Sequence, residues 1–358
     1  MKRKMLLVSA LFIPLSVSAN GDLGGYSEIN LNATRWTSDL NNGDFDSRHS
    51  FIGLDGRKQL EGDDCCDGWI GGRVESYVDI GGSGSFDLRQ AYVSIGDESK
   101  GQLDLGTKET VYYQTGAIVD PYFRSGIDHR DLNLQSEFHY SYGGIKDDYI
   151  QYTSPSLAIP GLSANLGKTY QDSEREPNID FGVQYRSNAM NAYLQGTHVQ
   201  YLGSIGSDVG IHETAYKVGV SYDLGKTFSL PLQTFRLGAQ YEATEDLYEA
   251  LRPLSGSFSL PARVDGGDYS VLSAKLSGLQ FGNGKIGDVA ERLDVGLSFG
   301  AQDDYSESWS LGVGIDCGKY LDLVLGYGEI EGDTGNAAVD DGIDNEVTTF
   351  GIHTQFSF

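Results

Sequence analysis

Hydrophobic and polar residues alternate with a period of two along most of the chain. Between residues 216 and 222, for example, Val218 and Val220 alternate with Lys217 and Ser221. The 3.6-residue period that is typical of helices is almost absent. Each predicted strand therefore has one apolar face, which often ends in Tyr or Phe, and one face of Gly, Ser, Gln and charged residues.

Two environments fit such strands. A soluble sandwich buries its apolar faces and wets its polar ones, whereas an outer-membrane barrel turns its apolar faces to lipid and its polar ones to a watery lumen. The barrel is favoured because the apolar faces carry almost no charge over about ten residues, the length of a tilted membrane strand. Aromatic strand ends match interfacial girdles, and short turns alternate with longer loops, as expected at the two ends of a barrel.

The alternation predicts sixteen antiparallel transmembrane strands, an even number that returns both termini to the periplasm. A barrel of sixteen strands encloses an aqueous channel rather than a lumen filled by side chains. The predicted strands begin near Leu23, Arg48, Trp69, Phe86, Gln102, Tyr149, Leu162, Ile179, Asn191, Glu213, Leu232, Gly267, Asp288, Ser308, Tyr320 and Glu346.

Residues 1–19 have the layout of a secretory signal peptide. A basic start at Lys2, Arg3 and Lys4 precedes a short apolar stretch and the small residues Ser18 and Ala19. The apolar stretch is too short to span a bilayer as a helix. Residues 20–358 are then the barrel domain.

The chain is acidic and rich in glycine. It has 48 Gly and 22 Tyr among 358 residues and a formal net charge of −25, which becomes −28 once the three basic residues of 1–19 are removed. Such a charge repels nucleic acid phosphates, so nucleic-acid binding is not expected.

One connection, residues 108–148, is far longer than the others. A long connection without regular structure is usually functional, and this one is rich in tyrosine and in acidic residues. Folding into a polar lumen is favoured over a surface-exposed loop. Its acidic residues include Asp120, Asp128, Asp131 and Glu137.

Two segments resemble the Gram-negative general diffusion porins. RQAYVSIGDESKGQLDLGTKETVYY (89–113) is similar to the fourth and fifth strands of that family, and YIQYTSPSLAIPGLSANLG (149–167) is similar to its sixth and seventh strands. The terminal Phe358 resembles the signal of outer-membrane assembly. The resemblance implies a homotrimer in the outer membrane, in contact with lipid and lipopolysaccharide, and identifies residues 108–148 as the third loop.

In that family, acidic residues of the third loop face basic residues on the opposite wall. Arg89 matches the wall arginine of the fourth strand, and we expect it to point inward because Phe86, Leu88 and Tyr92 form its strand's apolar face. The alternation of the preceding strand also predicts that the Arg73 side chain points into the lumen. The resemblance thus implies a pore constriction whose basic members are Arg73, Arg89, Lys108 and Lys146 and whose acidic members are Asp120, Asp128, Asp131 and Glu137.

The sequence also departs from the family pattern. Thr107, followed by Lys108, stands where the fifth strand usually carries Arg, and Phe51 stands where the second strand often does. The wall is therefore less basic than usual. Together with the net charge, this predicts a mild preference for cations.

The leading hypothesis is a water-filled channel for passive diffusion of small hydrophilic solutes and ions. The alternative is a channel specific for sugars or oligosaccharides, which tyrosines of the third loop would favour if their rings lined the pore. No enzyme, cofactor or metal is expected. The match to G-x-G-x-x-G at 282–287 lacks the helix that dinucleotide binding requires, and the six His show no metal-ligand spacing.

Two features have more than one interpretation. Cys65, Cys66 and Cys317 fall in predicted periplasmic turns and could form a vicinal bridge, an intersubunit bond or free thiols. Acidic residues between Glu329 and Glu346 could hold divalent cations that bridge lipopolysaccharide, or could be solvated loop charge.

Overall fold

A computed structural model of the protein describes most of the strands and part of the third loop. The described residues are 22–36, 44–46, 50–60, 68–78, 86–121, 144–169, 178–202, 210–230, 234–244, 253–254, 258–259, 269–279, 292–302, 306–316, 321–332 and 345–357. Within these ranges, no helix has the length and hydropathy needed to cross a bilayer. The predicted signal peptide, the three cysteines and the 282–287 motif lie outside them.

Sixteen long strands alternate in direction along the described chain. All begin within four residues of the predicted positions, because the period of two marks each strand directly in the sequence. They are β1 Asp22–Trp36, β2 Phe51–Gln59, β3 Gly68–Val78, β4 Phe86–Asp97, β5 Gly101–Glu109, β6 Ile145–Thr153, β7 Leu162–Thr169, β8 Ile179–Arg186, β9 Met190–Leu202, β10 Gly210–Asp223, β11 Thr234–Thr244, β12 Tyr269–Leu279, β13 Arg292–Gln302, β14 Ser306–Asp316, β15 Leu321–Gly332 and β16 Asn345–Ser357.

Every long strand pairs antiparallel with two neighbours. Consecutive strands pair throughout, and β1 pairs on one side with β2, from Asp22↔Arg57 onward, and on the other side with β16, up to Trp36↔Val347. This ring of pairings satisfies the backbone of each strand from its neighbours, which is what a membrane-spanning sheet needs. The predicted sixteen-stranded antiparallel barrel is confirmed.

In the described parts of the connections there are three short strands and two short helices. Asp44–Asp46 pairs with β1, and Pro253–Leu254 pairs with Phe258–Ser259. A one-turn helix, α1, spans Val111–Thr115 and continues as the 3₁₀ turn Gly116–Ile118, and a second helix, α2, spans Leu224–Thr227.

Burial in the barrel is inverted relative to a soluble protein. Val218 and Leu272 are 48% and 62% exposed, whereas the neighbouring Lys217 is fully buried. The same alternation recurs around the ring, with apolar side chains outside and polar side chains inside. The outer surface is thus an apolar belt suited to hydrocarbon, and polar side chains line the interior.

The predicted alternation of short turns with long loops is only partial. The two longest connections, 110–144 and 245–268, lie at the same end of the barrel. However, the connection at 303–305, at that end, is shorter than the one at 280–291, at the opposite end. Connection length alone therefore does not identify the two ends.

Candidate functional site

The described part of the third loop runs inside the barrel and reaches strands β8 to β12. Thr110 is the N-cap of its helix α1, and the Thr110 hydroxyl accepts a hydrogen bond from the backbone N–H of Tyr113 at 3.1 Å, as at many helix N-termini. The hydroxyl of Tyr112 then donates to Oε1 of Glu242 at 2.5 Å. Lys217 Nζ donates to the carbonyl of Tyr112 and lies 4.1 Å from its ring centroid.

A second set of contacts holds the loop past α1. Val119 packs in a buried cluster with Tyr193, Tyr269 and Val271, and Ser273 Oγ donates to the carbonyl oxygen of Val119 at 2.5 Å. The loop passes over the inner face of the wall at Gly238, where an added Cβ would lie 2.6 Å from Ser273 Oγ and 3.2 Å from Val119 Cα. The absence of a side chain at this glycine makes room for the loop.

On the wall formed by β3, β4 and β5, Arg89 is enclosed by acidic and aromatic side chains. Its guanidinium forms ion pairs with Glu75 and Glu109 and lies 4.4 Å from the ring centroid of Phe51. Gln90 Nε2 also donates to Glu75 at 2.6 Å. Arg89 is 3% exposed, so water has little access to its guanidinium group. The positive charge of Arg89 is therefore balanced by these two carboxylates.

A β-bulge puts both Arg89 and Gln90 on the inner face. The pairing passes from Glu75↔Gln90 directly to Ser76↔Leu88, which leaves Arg89 as the extra residue. The prediction that Arg89 points inward is confirmed, but the prediction that Tyr92 shares the apolar face is wrong. The bulge shifts the alternation by one residue, so Tyr92 lies on the inner face beside Lys108, whose Nζ is 5.0 Å from its ring centroid.

Arg73 lies next to this group on β3 and is partly exposed to the lumen. Its guanidinium is 3.4 Å from Glu75 and 3.7 Å from Asp55. Its neighbour Val74 is exposed on the outer surface, so the alternation places Arg73 inside, as its parity predicts.

Lys108 lies on the inner face near the end of β5. It forms an ion pair with Asp104, four residues earlier on the same strand. Asp104 also accepts a hydrogen bond from Ser94 Oγ at 2.5 Å and one from Gln102 Nε2 at 2.6 Å. Lys108 is thus neutralised on its own strand.

Lys146 faces inward because of a second β-bulge. On β6, the outward position of Ile150 and strict alternation would put Lys146 outside. The ladder instead passes from Gly106↔Tyr149 to Lys108↔Lys146, so two residues of β6 oppose one of β5. Lys146 Nζ then lies 2.8 Å from Oδ1 of Asp180.

The predicted site residues fall into three groups. Arg73, Arg89, Lys108 and Lys146 all lie on the inner wall, and each has a carboxylate partner on that wall. Asp120 is buried in the described part of the third loop. The remaining acidic candidates lie outside the described residues; they are Asp128, Asp131 and Glu137.

The sequence analysis missed the acidic partners of these cations. The partners lie at inward positions of strands whose alternation is legible, for example Asp104 between Leu103 and Leu105. Inward parity could therefore have marked them, but their pairing could not be read from it. The missed residues are Asp55, Glu75, Asp104, Glu109, Asp180 and, at the third loop, Lys217 and Glu242.

Within the described ranges, no three His, Cys, Asp or Glu side chains come together in a way that could hold a metal ion. The carboxylates of the inner wall described above are balanced by Lys and Arg side chains. Toward the third-loop end of β15, Trp309 Nε1 donates to Glu329 at 3.0 Å. Residues 333–344, where most of the predicted cation-holding acids lie, are outside the described residues.

Comparison with known proteins identifies a family. A family model described as Gram-negative porin matches residues 12–352. A sequence search of curated proteins finds no match.

Several solved structures share the fold. Salmonella typhi OmpF, in complex with daunomycin, is 16% identical with a TM-score of 0.63, covering 94% of this chain and 97% of that one. The anion-selective porin from Comamonas acidovorans is 15% identical with a TM-score of 0.61, covering 94% and 99%. The in-vitro folded OmpT of Vibrio cholerae in its trimer form is 13% identical with a TM-score of 0.59, covering 95% and 100%.

Proposed function

Because the chain belongs to the Gram-negative porin family, it is an outer-membrane channel protein. We propose that residues 20–358 form one barrel through which small hydrophilic solutes and ions diffuse passively, with a mild preference for cations. The protein does this without catalysing a reaction.

The observation that carries the cation preference is the local neutralisation of the basic wall. Four cations, Arg73, Arg89, Lys108 and Lys146, face five carboxylates on the same wall. An ion in the lumen meets nearly balanced charge there rather than a positive surface. The excess negative charge of residues 20–358, which is −28 once the three basic residues of 1–19 are removed, then sets the sign of the preference.

We propose that this wall and the third loop form the pore constriction. The basic side chains would stand on one side and the acidic residues of the loop on the other, and charges opposed across a narrow pore orient dipolar solutes. The proposed members are Arg73, Arg89, Lys108, Lys146, Asp120, Asp128, Asp131 and Glu137.

The test is a reversal-potential measurement in planar bilayers with a KCl gradient across the membrane. We expect a potential whose sign corresponds to K⁺ permeating faster than Cl⁻. The preference should weaken in concentrated salt, because the Debye length falls from about 10 Å at 0.1 M to about 3 Å at 1 M. A clear anion preference would overturn the proposed sign, and a bilayer that does not conduct would overturn the channel itself.

The alternative of an oligosaccharide-specific channel finds no support in the described tyrosines of the third loop. A sugar needs exposed aromatic faces, whereas Tyr112 and Tyr113 are both buried. General diffusion is therefore the function we favour. Saturable block of single-channel current by added oligosaccharides would reverse this choice.

We also propose that the protein assembles as a homotrimer surrounded by lipid and lipopolysaccharide. The trimer form of Vibrio cholerae OmpT, which has the same fold, supports this. Native mass spectrometry of the detergent-extracted protein should detect three copies, and a monomer alone would contradict the proposal.

A further inference from the structure

A cavity of about 320 Å³ opens into the inner wall between β1 and β4. It lies toward the barrel end opposite the third loop, because Arg57 is near the end of β2 and Trp69 is near the start of β3. The buried group around Arg89 lies farther along the same wall, toward the third loop. The side chains that line the cavity are Asp55, Arg57, Trp69, Arg73, Tyr92 and Ser94, around the backbone of Gly24, Gly56, Gly71 and Gly72.

The cavity exists because inward positions on both strands that flank β2 lack side chains. Gly24 has inward parity on β1, and a Cβ added there would lie 3.3 Å from Asp55 Oδ1. Gly71 has inward parity on β3, since its neighbour Ile70 is exposed on the outer surface. Larger residues at these positions would fill the space.

Two guanidinium groups with different environments border the cavity. Arg57 is exposed and lies 4.2 Å from the ring centroid of Trp69, a stacking arrangement that orients a guanidinium plane. Arg73 shares its charge with Asp55 and Glu75. Because Glu75 also pairs with the buried Arg89, the charge that borders the cavity is net positive.

We propose that this cavity is a binding site for small planar organic carboxylates, of which benzoate is the simplest, as they pass through the lumen. The carboxylate would contact the guanidinium groups of Arg57 and Arg73, since guanidinium geometry matches a carboxylate. The ring would lie beside Tyr92, half-buried at the cavity wall. This inference rests on the proposed function, because such a solute reaches the cavity only through an open channel.

The site shares Arg73 with the proposed constriction but differs from the rest of it in what its cations can do. Arg89, Lys108 and Lys146 are buried and paired with wall carboxylates, so their charges are already satisfied. Arg57 is exposed, and Arg73 is partly so. A carboxylate can therefore bind at the cavity without breaking a buried ion pair.

The test is a fluorine-19 NMR titration of the detergent-refolded full chain with 4-fluorobenzoate. We expect saturable line broadening that 4-fluorobenzamide, the neutral analogue, does not produce. Arg57→Gln should weaken binding by about tenfold, in line with the loss of one charged hydrogen-bonding partner. Asp55→Asn should strengthen it, because it removes the negative charge nearest the site.

The matched control is Lys58→Gln. It removes the same charge one residue away, but Lys58 pairs with Ile70, which is on the outer surface, so binding should not change. Equal weakening by Arg57→Gln and Lys58→Gln, no saturable broadening with the unmodified protein, or weaker binding in Asp55→Asn would each overturn the inference. Bilayer conductance of the same preparation separates the two proposals: conduction without 4-fluorobenzoate binding rejects the site and leaves the channel standing.

Discussion

Lys146 Nζ lies 2.8 Å from Oδ1 of Asp180, on strands β6 and β8 of the inner wall, and both side chains are buried. The hydroxyl of Tyr149 donates to the other oxygen of Asp180 at 2.6 Å, and Lys146 also reaches Thr197 Oγ1 at 3.3 Å. The lysine is thus held by the wall as part of its structure. The same holds for Arg89 and Lys108, whose partners are also on the wall.

Breaking this pair from one side should destabilise the barrel. In Asp180→Leu, Lys146 keeps its charge but loses its buried partner, and the free energy of unfolding should fall by about 3 kcal/mol. Urea unfolding of the protein in lipid vesicles, followed by tryptophan fluorescence, measures this. The double variant Lys146→Met with Asp180→Leu is the control and should recover most of the loss. A double variant as unstable as Asp180→Leu would contradict the assignment.

Freeing Arg89 from its carboxylates should shift ion selectivity toward anions. Glu75→Gln combined with Glu109→Gln keeps hydrogen-bonding groups but leaves the arginine charge uncompensated in the lumen. The reversal potential in a KCl gradient should move toward that of a chloride-selective pore. Glu307→Gln combined with Glu331→Gln removes the same two charges at exposed, outward positions of β14 and β15 and should shift the potential much less. Equal shifts would mean that only net charge matters.

Filling the space at Gly238 should detach the third loop from the wall. Gly238→Val adds a Cβ 2.6 Å from Ser273 Oγ and 3.2 Å from Val119 Cα, with two further methyl groups attached to it, so the loop must move. We expect single-channel currents with a changed conductance and more noise than in the unmodified protein. Ala239→Val puts the same side chain at the next, outward position and should leave the currents unchanged. Identical recordings from both variants would show that the loop does not limit the current.

Arginine on the outer apolar belt should oppose insertion into lipid. Leu272→Arg, at a 62% exposed position of β12, should lower folding stability in vesicles by about 2–4 kcal/mol if it lies near the midplane. Phe228→Arg, at a 67% exposed position just after α2, is the control and should cost about 0–1 kcal/mol because it lies near the interface. Folding from urea into vesicles measures both. The opposite ranking would mean that the belt is placed wrongly.

The fold was predictable because, in a membrane barrel, the alternation along each strand shows which side chains face lipid and which face the lumen. In β10, the alternation of Val218 and Val220 with Lys217 and Ser221 predicts which side chains face lipid, and the structure places them so. The inward positions of Arg73 and Lys108 follow from the same rule. Tyr92 is an exception, since the bulge at Arg89 shifts the alternation between Leu88 and Val93.

The ion pairs were not predictable in the same way. Lys146 and Asp180 are 34 residues apart, and Lys146 points inward only because two residues of β6 oppose Thr107 at a bulge. Likewise, Lys217 and Glu242 contact Tyr112 from strands far along the chain. No local pattern pairs these residues.

The sequence by itself determined the number of strands and the outward face of most of them, because lipid and water act on each side chain separately and so leave a period of two. Only the tertiary structure decided where that period breaks and which carboxylate neutralises which cation. A bulge is a mismatch in count between neighbouring strands, and an ion pair across the wall depends on the register between them. Both are properties of pairs of strands rather than of either strand alone.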